Sequence, residues 1–179
     1  MAGLGTTAPA FHLPDTVTGQ RVLFPGSHRA AATVIMFICN HCPYVKHVND
    51  ELVRLARDYS GKDVAFFAIS ANDALQYPDD SPGKMKETAM TLGYPFPYLY
   101  DETQETARRF QAACTPDFFV YDREHRLAYR GQLDDARPGN GIPVTGSDIR
   151  NALDQLLAGK PVSPDQKPAI GCNIKWKSS

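Results

Sequence analysis

The stretch that most constrains this chain is "TVIMFICNHCPYVKHVNDELVRLARDY", Thr33 to Tyr59, where an apolar run meets two cysteines and then an amphipathic segment. Thr33 to Ile38 is compact and rich in β-branched side chains, the pattern of a strand buried on both faces. From Pro43 onward Val45, Val48, Leu52, Leu55 and Ala56 recur at helical spacing, and the pattern stops near Ser60 and Gly61. Cys39 therefore falls where a strand ends, and Cys42 is expected in the first turn of a helix. A helix start carries unpaired N–H groups and the positive end of the helix dipole, and both favour thiolate over thiol. Pro43 fits there because the first turn has no use for its missing donor. His41, between the cysteines, adds positive charge when protonated; by stabilising the reduced form it would make the pair more oxidising.

Three readings of the two thiols stand open: a disulfide staple, a metal clamp and a reactive pair. The chain has 179 residues and a formal net charge of -1. That length suits one domain with a real core. The charge gives no reason to expect nucleic acid or an anionic membrane as partner, and no segment approaches the length of a membrane span. The opening "MAGLGTTAPAFHLPD" has no basic stretch followed by an apolar one, so a cytoplasmic protein is expected. In a reducing compartment a C-x-x-C reads as redox or metal chemistry rather than a staple. Against metal, Cys39, His41, Cys42, His47, Cys114 and Cys172 contain no second closely spaced ligand pair of the kind structural zinc sites use. Neither a metal nor any other cofactor is called for.

The rest of the chain alternates strands and helices. "PAFHLPDTVTGQRVLF" reads as a small hairpin, Val64 to Ser70 as a second buried strand, and Lys84 to Leu92 as a helix. A short strand near Tyr98 to Tyr100 and a helix from about Thr103 to Ala112 follow. "PDFFVYD" and "RLAYRGQL" form a further hairpin, and a last helix spans Ser147 to Leu157 with Ser147 as its cap. This order implies an α/β fold with a partly parallel sheet covered on both faces. Residues 1–158 are expected to form the domain. The tail, residues 159–179, holds Cys172, Ile174 and the sole tryptophan, Trp176, and is too apolar to hang free, so it should pack back onto the domain. In "CTPDFF" Pro116 follows Thr115 at a helix-to-strand junction. A cis bond there would leave the Thr115 backbone open to an extended substrate strand, whereas a trans proline would only stop the preceding helix.

Strand, C-x-x-C, helix and a later Thr-Pro before a hairpin resemble the thioredoxin superfamily. "APAFHLPDTVTG", "FICNHCPYV", "ISAND", "YPDDSP", "FPYLYDETQETARRF", "CTPDFFVYD", "YRGQLDDARP" and "GCNIKW" more narrowly resemble peroxiredoxin-like proteins of the alkyl hydroperoxide reductase/thiol-specific antioxidant type. The likeness runs from about Pro9 to Trp176. It implies a thioredoxin-like α/β/α sandwich with a central mixed sheet and an N-terminal hairpin extension. It also implies Cys39 as attacking thiol, Cys42 as resolving thiol and Pro116 as the cis-proline. Ile38 stands where thioredoxin has tryptophan, and Thr33 where it has a buried relay aspartate. Met36 stands where a peroxiredoxin's hydroxyl would serve Cys39, and an arginine would have to come from Arg123 or Arg130.

These readings converge on a thiol–disulfide oxidoreductase. Its catalytic group is Cys39, Cys42, His41 and Pro116, with Thr115 binding the substrate strand. Cys114 and Cys172 are either auxiliary thiols or packing residues. Thiol peroxidase is the alternative activity and a metal-binding module the third. The expected partners are a disulfide-containing protein or a small disulfide or peroxide, with a thiol reductant to restore the dithiol. Asp134, Asp135 and Arg137 are either a proton relay for the thiols or a turn with an ion pair. Asp79 and Asp80 read as turn and capping residues.

Overall fold

The computed structural model describes residues 2–178. A hairpin, β1 (Phe11–Pro14) and β2 (Arg21–Phe24), precedes β3 (Ala32–Phe37), α1 (Pro43–Asp58), β4 (Val64–Ser70) and α2 (Pro82–Leu92). Then come β5 (Tyr98–Tyr100), α3 (Glu105–Phe110), β6 (Cys114–Thr115), β7 (Asp117–Asp122), β8 (Leu127–Gly131), α4 (Ser147–Leu157) and β9 (Cys172–Asn173). The main sheet has the order β5-β4-β3-β7-β8. β3, β4 and β5 run parallel, while β7 is antiparallel to β3 and β8 to β7. The expected mixed α/β sheet with an N-terminal hairpin is present.

Side-chain alternation on β3 explains the layers. Ala32, Val34 and Met36 point into one core with Val45, Val48, Leu52 and Leu55 of α1, Met85 of α2 and Ile149 and Leu153 of α4. Ile35 and Phe37 point into the other, with Phe11 and Phe24 of the hairpin, Ala107 and Phe110 of α3 and Ile174 of the tail. A strand buried on both faces reads as an unbroken apolar run, which is how β3 and β4 show in the sequence. Stacked and edge-on rings of Phe11, Phe24, Phe37, Phe110 and Phe119 fill the second core.

Two caps and one strand pairing near the thiols differ from expectation. Cys42 is the N-cap of α1 rather than a first-turn residue, because Pro43 holds the residue before it extended, at φ −71° and ψ 125°. α4 begins at Ser147 as expected, but Gly146 rather than Ser147 is its N-cap, at φ 69°. The Asp134 carboxylate accepts the amides of Thr145 and Gly146 there, and a Cβ on Gly146 would meet the Glu51 carboxylate at 2.7 Å. The two-residue strands β6 and β9 pair with each other, Thr115 opposite Cys172, so the tail forms part of a sheet.

Candidate active site

The end of β3 and the start of α1 bring Cys39 and Cys42 under the β6–β7 junction, and both sulfurs reach Thr115. Cys39 Sγ lies 3.6 Å from the Thr115 hydroxyl, and Cys42 Sγ lies 3.4 Å from the Thr115 carbonyl oxygen. The Thr115–Pro116 peptide is cis. The Thr115 backbone edge is not open, however. β9 covers it, and the Cys172 sulfur lies 2.8 Å from that of Cys42. Cys39 and Cys42 are both buried, and Cys172 is half-buried. The four cysteines are present as thiols.

The charge distribution differs from the one read in the sequence. The Cys42 thiol is held well below the ordinary thiol range, first by a hydrogen bond from Cys39 and then by those from Cys172, Thr115 and the Val45 N–H, against the effect of burial. Cys39 is pushed far above that range by its hydrogen bond with Cys42, by burial and by the charge of Asp80. The surroundings of the pair thus favour one thiolate shared between Cys39 and Cys42 and weighted towards Cys42, which has a thiol on either side. The helix-start amides add a smaller contribution: the Val45 N–H serves Cys42 and the Tyr44 N–H serves Cys172, while Pro43 before them has no N–H. Cys172 itself is raised to about 11 by burial and by the bond to Cys42.

Asp80 is the residue the sequence reading missed. Its side chain is fully buried, and it accepts from the Asn40 amide at 2.8 Å and from the Asn72 side chain at 2.9 Å. It also contacts His41 Nδ1 directly, and the His41 ring stacks on Tyr77. Ligand atoms of Cys39, His41 and Asp80 lie within 4.8 Å of one another. His41 is therefore positioned beside Cys39 by an acid rather than standing free between two sulfurs. In sequence "YPDDSP" is indistinguishable from a surface turn; only the convergence of Asn40 and Asn72 upon Asp80 marks it.

The other candidates lie elsewhere. Asp134 is occupied by loop amides, Asp135 pairs with Lys167, and Arg137 bonds Gln132, so this cluster builds the turn before α4. Arg123 bonds the Arg29 carbonyl at the opposite end of β7, roughly 17 Å along the strand. Arg130 is buried against Asp117 and over the Phe119 ring. Cys114 is buried, its thiol pushed up to about 12 by burial and by Asp117. Among the described residues no helix is long and apolar enough to cross a membrane.

The whole chain is similar to an uncharacterized conserved protein from Geobacillus kaustophilus, 62% identical over 100% of this chain and 95% of that one, with a TM-score of 0.98. A hypothetical protein from Sinorhizobium meliloti is 46% identical over 100% and 97%, with a TM-score of 0.97. A thiol:disulfide interchange protein of the thioredoxin family from Chlorobium tepidum superposes over 88% of this chain and 99% of its own, at 18% identity and a TM-score of 0.66. That last likeness carries the fold, which is thioredoxin-like. No curated protein sequence matches the chain. The AhpC/TSA family model matches residues 4–130, a span that holds Cys39, Cys42 and the Thr115–Pro116 turn but not Cys172. The chain belongs to the AhpC/TSA family.

Proposed function

We propose that the protein is a thiol–disulfide oxidoreductase in which Cys39 and Cys42 alternate between dithiol and disulfide. The observation that carries this reading is the convergence of both sulfurs on Thr115, one residue before Pro116. Cys39 attacks one sulfur of a substrate disulfide; a Cys39–substrate bond forms, the substrate bond breaks and the first leaving sulfur departs as thiolate. As Cys39 commits to the substrate sulfur its proton moves along the hydrogen bond to Cys42 and from there to the departing thiolate, which leaves Cys42 a thiolate again. Cys42 then attacks Cys39, forming the internal disulfide and releasing the second substrate sulfur. The substrate gains two electrons and the pair loses two. His41 and Asp80 act as positioning residues that set the charge beside Cys39. A thiol reductant restores the dithiol, in keeping with a cytoplasmic setting. Reduction of insulin or of a small disulfide tests the reading: Cys39→Ser should lose the activity, and equal rates in wild type and variant would end it.

Family membership favours a second reading, reduction of a hydroperoxide by Cys39. The Thr115 hydroxyl near its sulfur supplies the group that Met36 does not. Attack on the peroxide oxygen would release alcohol and leave a sulfenic acid, which Cys42 would condense to the disulfide with loss of water. Stopped-flow consumption of hydroperoxide separates the two. Saturable turnover faster than disulfide reduction supports the peroxidase, and slow, non-saturating consumption counts against it.

A further inference from the structure

The tail that covers the thiols is built to lie there. β9 pairs antiparallel with β6 at the strand edge beside Pro116, the edge the sequence reading left to a substrate. Gly171 permits the approach: a Cβ on it would sit 1.9 Å from the Thr115 carbonyl oxygen and 2.6 Å from its carbon. Upstream, Gln132 N–H donates to the Lys167 carbonyl, and a Cβ on Gly131 would lie 2.0 Å from that oxygen. Downstream, Lys175 N–H donates to Asn72, the Lys175 carbonyl accepts from Asp73 N–H and Gln104, and Ile174 is buried. Anchors on both sides thus hold Cys172 Sγ 2.8 Å from Cys42 Sγ. Of the three clustered sulfurs, only that of Cys172 belongs to a residue with appreciable exposure; Cys39 is 2% exposed and Cys42 0%. A disulfide held between Cys39 and Cys42 lies deeper than the half-buried Cys172 sulfur, which meets a reductant more readily.

From this geometry we infer that Cys172 is a third redox residue, which takes the disulfide over from the Cys39–Cys42 pair and presents it to the reductant. The inference rests on the Cys39–Cys42 couple proposed above. In the exchange the Cys172 thiolate attacks Cys42 Sγ, the Cys42–Cys172 bond forms and the Cys39–Cys42 bond breaks. The electron pair of the broken bond stays on Cys39, which takes up the proton Cys172 has lost. No net oxidation occurs. An external thiolate then attacks the Cys172 sulfur, Cys42 leaves as the stabilised thiolate, and a second thiol resolves the mixed disulfide on Cys172. Two electrons enter and the three thiols return to the reduced state.

The test oxidises full-length protein with diamide, blocks the remaining thiols with N-ethylmaleimide and maps disulfide-linked peptides by mass spectrometry. Wild type should yield both Cys39–Cys42 and Cys42–Cys172 linkages, Cys39→Ser only the latter and Cys172→Ser only the former. Re-reduction by dithiothreitol should be at least tenfold slower in Cys172→Ser than in wild type. Gly171→Ala, which keeps every thiol but displaces β9, should lose most of the Cys42–Cys172 linkage. Absence of that linkage from Cys39→Ser, or equal re-reduction rates, overturns the relay while a Cys39–Cys42 bond in Cys172→Ser leaves the couple standing. A Cys172→Ser protein that forms no Cys39–Cys42 bond removes the couple itself, and the relay with it.

Discussion

A thiolate at Cys42 gains from every neighbour that can donate to it: Cys39, Cys172, the Thr115 hydroxyl and the Val45 amide. Asp80 works the other way on Cys39: after the hydrogen bond with Cys42 and burial, its charge, from within 4.8 Å, raises the Cys39 proton affinity further. Replacing it by Asp80→Asn should therefore lower the pH at which Cys39 becomes reactive, by roughly tenfold in iodoacetamide labelling rate near neutrality for each pH unit of displacement. An unchanged pH profile would remove Asp80 from the electrostatics of the site. Cys114 should behave as an inert thiol. Its value of about 12 keeps it neutral through the physiological range, so it should label more than tenfold slower than Cys172 under native conditions. Because burial raises that value above the ordinary one, the neutral thiol suits the folded state below about pH 9. Stability linked to Cys114 should then fall as pH climbs from there towards 12, and a Cys114→Ala variant should show a flatter alkaline limb in thermal melts.

The elements that were legible in sequence are those whose burial leaves a period. β4 was read as Val64 to Ser70 and has those bounds, because a two-sided core demands an unbroken apolar run. α1 showed through Val45, Val48, Leu52 and Leu55, which all reach the first core. Leu52 is fully enclosed, so Leu52→Ala should cost about 2–5 kcal/mol and lower the melting temperature by roughly 10 °C, read by calorimetry. β6 and β9 were invisible, since two residues carry no period and their pairing joins positions far apart in the chain. The bounds of α4 were read correctly as Ser147 to Leu157, but its cap was not: Ser147 has the chemistry of a cap, yet Gly146 holds that position and the Asp134 carboxylate already takes the amides there. Asp80 was misjudged for a related reason. Its burial depends on Asn40 and Asn72, and no local pattern reports such partners.

At the scale of the whole molecule, the tail turns a surface cleft into an enclosed cluster of sulfurs. Its composition, with Ile174 and Trp176, marked it as a packing segment, but which thiols it would cover depends on the register Thr115 to Cys172. Trp176 is the chain's only tryptophan, and the Arg108 guanidinium lies 4.5 Å from its ring centre. Any lifting of the tail should therefore register as a red shift of tryptophan emission, seen in Gly171→Ala and absent from Cys39→Ser in the reduced state. The most direct measurement equilibrates the full-length protein with glutathione buffers of graded ratio and traps Cys39 and Cys42 by acid quench and alkylation. A single reversible two-electron transition in which Cys42 leaves the alkylatable pool, with Cys39 leaving beside it except in the fraction that has passed the disulfide to Cys172, is the expected result. If both stay fully alkylatable from the most reducing to the most oxidising buffer, the pair is not a redox couple.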